Sequence, residues 1–261
     1  MMAAIKAEFR KLLSVRSTYI VTALVLLLVI FIAGYLEGWR LSPTDLQSPD
    51  QIAGDVQGAL NLCVFGAIIA ILLVTHEYRY NTIMYTLTSS NSRSKVLIAK
   101  ILAVSAYAVL LAVILGVVSP AVSVLGIHLH AYTLPPQVAS AYTLAPQVIH
   151  AGTLAWQTLF YGWSYGMIGL LIAVLVRSQV GSIVALFLIP GLVETLLSQV
   201  LKQNAVYLPF TAMSEVIGAG GDAAAAHGGV LTPTKAVIVV MCYLVVGWLV
   251  AWILFLRRDA N

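Results

Sequence analysis

Charged side chains are scarce in this sequence. Of its 261 residues only 9% are charged while 61% are apolar, and the mean hydropathy is +0.96. Soluble domains are about half apolar and about a quarter charged, so the composition excludes a soluble globular protein and indicates an integral membrane protein. A chain of this length holds about six spans with short connections and leaves no room for a soluble catalytic domain.

Cysteine is almost absent, and a nucleotide-binding motif is missing altogether. Cys63 and Cys242 both lie inside apolar runs, where core packing is expected rather than a disulfide or a metal site. The sequence contains no Gly-x-x-x-x-Gly-Lys-Ser/Thr segment, so it does not bind nucleotide phosphates in that manner. If ATP drives this protein, a separate subunit has to hydrolyse it.

Catalytic and metal-binding patterns are weak. Residues 162–166, Gly-Trp-Ser-Tyr-Gly, match the hydrolase pattern Gly-x-Ser-x-Gly but lie within an apolar helix, without the turn that exposes a nucleophile. Glycines at this spacing let helices approach closely. An intramembrane serine protease would also need a histidine deep in another span, whereas all five histidines lie in loops or at span ends. A metal group of His128, His130 and His150 is an alternative that lacks a nearby carboxylate. We therefore predict neither a catalytic residue nor a metal site.

Long apolar runs predict six spans within one transmembrane domain, residues 1–261. The predicted spans are about 19–36, 56–75, 96–120, 156–176, 180–201 and 236–256. The third run stays apolar from Val96 to Ile127, which corresponds to about 48 Å of helix against a hydrocarbon core of about 30 Å. We expect this helix to kink or leave the membrane at Ser119-Pro120.

A basic amphipathic pattern over residues 3–16 precedes the first span. Ile5, Phe9, Leu12 and Leu13 share one helical face, and Lys6 and Arg10 lie opposite. A helix of this kind lies in the membrane interface. The alternative is the start of a signal peptide, but the apolar core at 19–36 is long for that role and no clear cleavage site follows it.

A polar, net-positive segment at 76–95 separates the second and third spans. Ile83, Met84 and Leu87 fall at helical spacing, with Thr82 and Thr88 among the other positions, which predicts a short amphipathic helix. Asn81 is suited to cap this helix, and Ser-Ser-Asn-Ser at 89–92 to end it. The alternative is a plain polar loop whose cations only hold it in the cytoplasm.

Basic residues are distributed unevenly between the two sides of the predicted spans. With both termini in the cytoplasm, eleven Lys and Arg lie inside and three outside, which predicts this orientation for a multi-pass plasma-membrane protein. The inner residues are Lys6, Arg10, Lys11, Arg16, Arg79, Arg93, Lys95, Lys100, Arg177, Arg257 and Arg258, and the outer residues are Arg40, Lys202 and Lys235. Segment 76–95 and the turn at Arg177 are then the places that a cytoplasmic protein can contact.

Three connections lie on the outer side in this orientation. Residues 37–55 are acidic, and residues 128–155 carry no formal charge but contain the near repeat of 131–138 at 141–148. We interpret the repeat as a local duplication in an external loop. Residues 203–218 are too short and too interrupted to span the membrane.

Glu194 is the one acidic residue deep in an apolar run, within a span that Pro190-Gly191 should bend. A carboxylate in hydrocarbon costs several kcal/mol unless it is protonated, paired or hydrated. Two interpretations stay open. One places Glu194, with Pro190 and Phe210, on a translocation path; the other pairs it with Lys202 or with a partner across a dimer interface.

The order Glu77-Tyr78-Arg79-Tyr80, then Thr82-Ile83, Leu87-Thr88, Arg93 and Lys100, resembles the first intracellular loop of permeases in the type 2 ABC exporter superfamily. These permeases are membrane subunits of drug, antibiotic and bacteriocin-immunity exporters. Asn81 stands where the family usually has Gly, and the stretch 89–92 lacks a proline that is often found there. The resemblance implies that this segment is a coupling helix that docks on a separate ATPase subunit. The implied docking residues are Glu77, Arg79, Thr82, Ile83, Met84, Leu87, Thr88, Arg93 and Arg177.

The resemblance also implies an overall architecture and a function. The fold would be all-α, with an N-terminal elbow helix (Ile5, Lys6, Phe9, Arg10, Leu12 and Leu13) and re-entrant helices at 203–218. Two copies would form the pathway, and two ATPase subunits would carry ATP and Mg²⁺, so the chain itself would be non-catalytic, without a bound cofactor or a nucleic-acid partner. The expected cargo is a hydrophobic or amphiphilic drug, antibiotic, lipid or peptide.

Two other functions remain as alternatives. A stand-alone secondary transporter should have buried charges in several spans and inverted half-repeats, whereas the sequence suggests only Glu194 as a buried charge. A membrane immunity or scaffold protein would have the same spans without a transport cycle.

Overall fold

The computed structural model describes residues 2–40, 42, 45–47, 51–80, 82, 93–140, 142, 151–219, 229 and 231–257. Within these ranges the regular structure is helical throughout. We number the main helices α1 (Met2–Ser14), α2 (Arg16–Trp39), α3 (Ala53–Arg79), α4 (Arg93–Thr133), α5 (Ala151–Val176), α6 (Gln179–Tyr207), α7 (Pro209–Val216) and α8 (Pro233–Arg257).

Six of these helices, α2 to α6 and α8, are long and apolar enough to cross a membrane. The prediction of an all-α polytopic membrane protein is therefore confirmed. Each of the six predicted spans lies within one of these helices. The predicted placement of both termini in the cytoplasm stays a prediction, and "inner" below refers to that predicted side.

Helix α4 is longer than the sequence predicted. It continues through Pro120 to Thr133, a length of 41 residues, instead of ending at Ser119-Pro120. Neighbouring helices support its outer half, because the Ser119 hydroxyl donates a hydrogen bond to the backbone oxygen of Asp55 in α3 at 3.1 Å. Such support makes a proline inside a membrane helix tolerable.

The outer halves of α2 and α4 touch at backbone level. A Cβ atom on Gly126 would overlap the Gly34 carbonyl, and a Cβ on Gly38 would lie 2.6 Å from the Ser123 carbonyl oxygen. Small residues at such positions allow helices to approach closely inside a membrane. The outer end of α4 is therefore fixed against α2.

Helix α5 lies at the centre of the bundle. Its residues Tyr161, Met167 and Leu170 are almost fully buried, and it packs against α3, α4, α6 and α8. Gly162 and Gly166 face alanines of α4, so both glycines of the Gly-x-Ser-x-Gly pattern serve close packing. Ser164 donates to the carbonyl oxygen of Tyr161 in its own helix at 2.8 Å.

The two cysteines differ in environment. Cys63 is buried in the core, as expected, but Cys242 is exposed on α8, and both are free thiols. The expectation of core packing was therefore wrong for Cys242, because α8 turns much of its apolar surface outward.

Helix α6 changes its winding near the proline. A π-helical stretch, Ile189–Glu194, contains Pro190, and a tight 3₁₀ stretch, Lys202–Tyr207, ends the helix before α7 begins at Pro209. Proline and π-type winding are the usual causes of helix bending. The region predicted as re-entrant, 203–218, is thus the end of α6 followed by α7.

Candidate functional site

Four charged side chains from three helices meet at the inner end of the bundle. Lys100 Nζ of α4 lies 2.9 Å from Glu8 Oε2 of α1 and 2.9 Å from Glu77 Oε1 of α3. Lys11 Nζ of α1 lies 2.8 Å from Glu8 Oε1 and also contacts Glu77 Oε1. We call these four residues the ion cluster. Its two positive and two negative charges cancel.

The ion cluster is largely shielded from solvent. The side chains of Lys100 and Glu8 are each 2% exposed and that of Glu77 is 6% exposed, whereas that of Lys11 is 35% exposed. A buried charge is tolerated only when it is paired and hydrogen-bonded. Each member of the cluster therefore depends on the others.

Local sequence explains how each helix contributes to this cluster. Glu8, Lys11 and Leu12 are spaced three and four residues apart, which places them on one face of α1. Leu12 is 3% exposed and anchors this face. Glu77 lies in the last turn of α3, and Lys100 follows the buried Val96 and Leu97 near the start of α4.

The electrostatics of α1 agree with this pairing. Burial alone would raise the pKa of Glu8, but the charge of Lys100 and the hydrogen bonds from Lys11 and Lys100 outweigh it and hold the pKa below its usual 4.5. Burial likewise opposes the charged form of Lys11, but its hydrogen bonds to Glu77 and Glu8 raise its pKa above the usual 10.5. Both groups are therefore charged at neutral pH.

The structure places the predicted docking residues in different environments. Glu77 points into the ion cluster, whereas Arg79 and Thr82 are exposed. Arg79 donates from a terminal guanidinium nitrogen to Gln179 Oε1 at 3.3 Å, and the guanidinium of Arg177 lies 5.3 Å from the ring centre of Tyr78. Helix α4 begins at Arg93. Four of the predicted docking residues lie outside the described residues, namely Ile83, Met84, Leu87 and Thr88.

Helix α1 has the amphipathic character that the sequence indicates. Leu12 is buried, Ile5 and Phe9 are half-buried, and Lys6 and Arg10 are exposed. Leu13, predicted to share the apolar face, is 57% exposed. Glu8 lies on the inward face of α1 instead of Leu13, and the sequence did not predict this. The available signal was a lone carboxylate three residues before Lys11 in an otherwise basic helix.

Glu194 has a different partner from those predicted. Its Oε1 accepts the backbone N–H of Phe210 at 2.8 Å, and its Oε2 accepts both the backbone N–H and the hydroxyl of Thr211 at 2.9 Å. The carboxylate therefore caps the first turn of α7, where backbone N–H groups lack partners within the helix. The predicted pairing with Lys202 is replaced by this cap.

More carboxylates and amines are buried than the sequence suggested. Asp55 is 2% exposed and Glu215 is 8% exposed, in addition to Glu194 and the ion cluster. Asp55 accepts hydrogen bonds from the Ser123 hydroxyl and the Gln51 amide. The expectation of a single buried charge was wrong because neighbouring helices supply the partners, which a single apolar run does not reveal.

In the part of the chain that the structure describes, no group of three or more His, Cys, Asp or Glu side chains is placed to hold a metal ion. The ring of His130 instead lies 5.0 Å from Trp39 and 5.0 Å from Tyr142. His150 and most of the second repeat, 141–148, lie outside the described residues.

Six helices that are long and apolar enough to cross a membrane, with an amphipathic N-terminal helix attached through buried charges, define a polytopic membrane protein. Residues 4–188 match the family model described as ABC-2 family transporter protein, and the chain belongs to this family. It is the permease subunit of an ABC transporter, and the identification made from segment 77–100 is confirmed. A search of curated proteins returns no match. The matched range includes the ion cluster and ends before Glu194.

Proposed function

We propose that this permease is the transmembrane part of an ATP-driven exporter, and that a separate ATPase subunit drives it at the inner end of α1, α3 and α4. The observation that carries the proposal is the ion cluster. Glu77 and Lys100 lie near the two ends of the polar segment 76–95, and both bind α1. The residues that flank this segment are therefore attached to the elbow helix as well as to the bundle.

An attachment of this kind suits a segment on which a protein outside the membrane exerts force. Movement of segment 80–92 would be passed to the ends of α3 and α4 and, through Glu8 and Lys11, to α1. Ion pairs between buried groups resist separation because breaking one leaves an uncompensated buried charge. ATP-driven closure of two ATPase subunits would then tilt two copies of this bundle and open the pathway outward.

The proposed cargo is a hydrophobic or amphiphilic compound. The membrane-crossing helices carry few charges, and the buried carboxylates Asp55 and Glu194 are occupied by neutral donors. Helix α7 and the end of α6, held by Glu194, would form the outer gate. On this proposal Glu194 positions the gate rather than binding the cargo.

The test combines co-purification with ATP turnover. The permease is co-expressed with a candidate ABC ATPase subunit, purified, and reconstituted in vesicles that contain a fluorescent lipophilic cation. We expect the pair to co-purify and to hydrolyse ATP while the dye moves. The double substitution Ile83→Asp with Leu87→Asp should abolish the stimulated turnover and leave membrane insertion intact.

A matched control places the same charge far from the proposed contact. Tyr132 is 90% exposed at the opposite end of α4, so Tyr132→Asp should leave ATP turnover unchanged. Normal turnover in the Ile83/Leu87 double variant would contradict the docking role. Dye movement driven by an ion gradient, without the ATPase, would instead support a secondary transporter.

A further inference from the structure

A cavity lies between the N-terminal helix and the bundle, beside the ion cluster. It has a volume of about 490 Å³ and is lined by the end of α1, the start of α2, the inner end of α3 and the first residues of segment 80–92. We call it the elbow cavity. Cavities that hold small ligands in proteins measure about 300–1,000 Å³. The elbow cavity is therefore large enough for one drug-sized molecule, or for the head and upper chain of a lipid.

The lining of the elbow cavity combines an apolar wall with polar groups. The apolar side chains come from α1, α3 and the turn between α1 and α2, namely Leu12, Val15, Ile69, Leu72 and Leu73. His76 and Glu77 line the cavity one helical turn further toward the inner end of α3. Because α1 is amphipathic, it is suited to lie in the membrane interface, where the two halves of such a lining match an amphiphilic molecule.

Glu77 gives the elbow cavity a specific hydrogen-bonding requirement. Its Oε1 is bound by Lys11 and Lys100, but its Oε2 is buried and has no donor among the described residues. The side chain is only 6% exposed. A buried acceptor without a donor is costly, and such groups in proteins call for an unseen partner. A molecule in the cavity that Glu77 lines is placed to supply that donor.

The charge balance of the ion cluster selects the kind of donor. Its two carboxylates and two amines already cancel, so a further cation would leave an unmatched positive charge in a shielded site. An anion beside the carboxylate of Glu77 would be repelled. A hydroxyl group donates to Oε2 and leaves the balance unchanged.

We propose that the elbow cavity binds an uncharged amphiphile whose hydroxyl group donates to Glu77 Oε2 and whose apolar chain lies along the α3 wall. The cavity lies within one copy of the bundle, whereas the proposed pathway lies between two copies. Water at Oε2 would leave the apolar wall without an occupant. A monoacylglycerol or diacylglycerol of the membrane and a hydroxyl-bearing cargo share the required chemistry, and the experiment distinguishes them.

The first experiment locates the ligand with a photoreactive monoacylglycerol. The purified permease is placed in phosphatidylcholine nanodiscs, whose lipid lacks a hydroxyl donor, and the probe carries a diazirine in its acyl chain. We expect mass spectrometry to find the label on residues 69–73, Leu12 or Val15. Leu72→Trp should fill the cavity and remove most of this labelling at an unchanged thermal midpoint. Leu196→Trp, on an exposed position of α6, is the matched control and should label normally.

The second experiment tests the hydrogen bond to Glu77. A dimethyl ether of the same probe accepts hydrogen bonds but does not donate them, so the wild type should bind it about tenfold or more weakly than the hydroxyl probe. In Glu77→Gln the amide oxygen is able to face the two lysines, which leaves its NH₂ group at the position of Oε2. This variant should bind both probes, because an ether and a hydroxyl each accept from an amide.

A third measurement identifies the source of the ligand. In the complex with the ATPase subunit, loss of the bound probe on addition of ATP marks a cargo, whereas retention through turnover marks a resident lipid. Both results agree with the proposed chemistry.

The inference would be overturned by equal binding of the hydroxyl and ether probes to the wild type, or by full labelling of Leu72→Trp. Stronger competition by dodecylamine or myristate than by unlabelled monoacylglycerol would likewise show that charge selects the ligand. Binding is measured on the permease alone, so failure here leaves the proposed function standing. Conversely, a lack of ATP-driven dye movement would refute the proposed function and leave the elbow cavity unaffected.

Discussion

Removing Lys100 should destabilise the protein more than any surface substitution, because this amine holds two buried carboxylates. Its Nζ lies 2.9 Å from an oxygen of Glu8 and 2.9 Å from an oxygen of Glu77. At an effective dielectric constant of about 20, each such contact corresponds to an attraction of about 6 kcal/mol. The cost of burying the charges offsets much of this, so we expect Lys100→Met to lose about 3–5 kcal/mol.

Thermal unfolding of the purified permease in detergent measures this loss. For a chain of this size 1 kcal/mol corresponds to about 2–4 °C, so the midpoint should fall by about 10 °C. Lys95→Met is the matched control, since Lys95 is an exposed lysine in the first turns of the same helix. It should change the free energy of unfolding by no more than about 0.5 kcal/mol.

A double variant tests whether charge balance, rather than lost packing, causes the effect. Lys100→Met leaves two carboxylates against Lys11 alone, whereas Lys100→Met with Glu77→Gln returns the cluster to neutrality. The double variant should therefore be more stable than Lys100→Met. Equal midpoints for Lys100→Met and Lys95→Met, or purely additive losses in the double variant, would refute the account of the ion cluster.

Three further predictions follow from local geometry. Gly126→Ala should lose about 1–3 kcal/mol by overpacking against Gly34, while Gly152→Ala, with open space around it, should be neutral; equal thermal midpoints would contradict the close contact of α2 and α4. Glu194→Ala should increase hydrogen exchange at the first two amides of α7, measured by mass spectrometry, and unchanged exchange would argue against the cap. Because the pKa of Glu8 is lower in the folded protein than its usual 4.5, its stabilising contribution is complete above that pH and is lost as the pH falls through the folded pKa. The thermal midpoint should then fall more steeply below pH 4.5 in the wild type than in Glu8→Gln, and parallel curves would exclude this linkage.

The sequence predicted the helices well because a membrane span depends on a local property. Each span must remove about 20 consecutive residues from water, so composition over a short window is enough to locate it. The end of α4 was harder to predict. Pro120 indicated a break, but the helix continues because Gly34, Gly38 and Gly126 bring α2 against it, and that contact depends on residues far apart in the chain.

The candidate site was only partly predictable for the same reason. Glu77 and Lys100 belong to the pattern that identified the family and pair directly with each other, but Glu8 and Lys11 of α1 complete the cluster. The lone carboxylate of Glu8 in a basic helix was a local signal, yet it does not show which residues of α3 and α4 it faces. The cap at Glu194 depends on the position of α7, whose first N–H groups come from a segment fifteen or more residues later. Sequence patterns reveal the residue that needs a partner, whereas the fold decides which partner it obtains.

The contacts of α4 indicate where the bundle is able to bend. Its inner end is held to α1 and α3 by the ion cluster, and its outer end is held to α2 by the glycine contacts. A helix fixed at both ends transmits displacement along its length instead of absorbing it. Helix α6 differs, because Pro190 and the π-helical stretch Ile189–Glu194 interrupt its regular hydrogen bonds. Since Glu194 ends that stretch and holds the first turn of α7, any bending of α6 has to carry α7 with it. We therefore expect displacement applied at the inner end to reach the outer side as a movement of α7 relative to the rigid unit of α1 to α4.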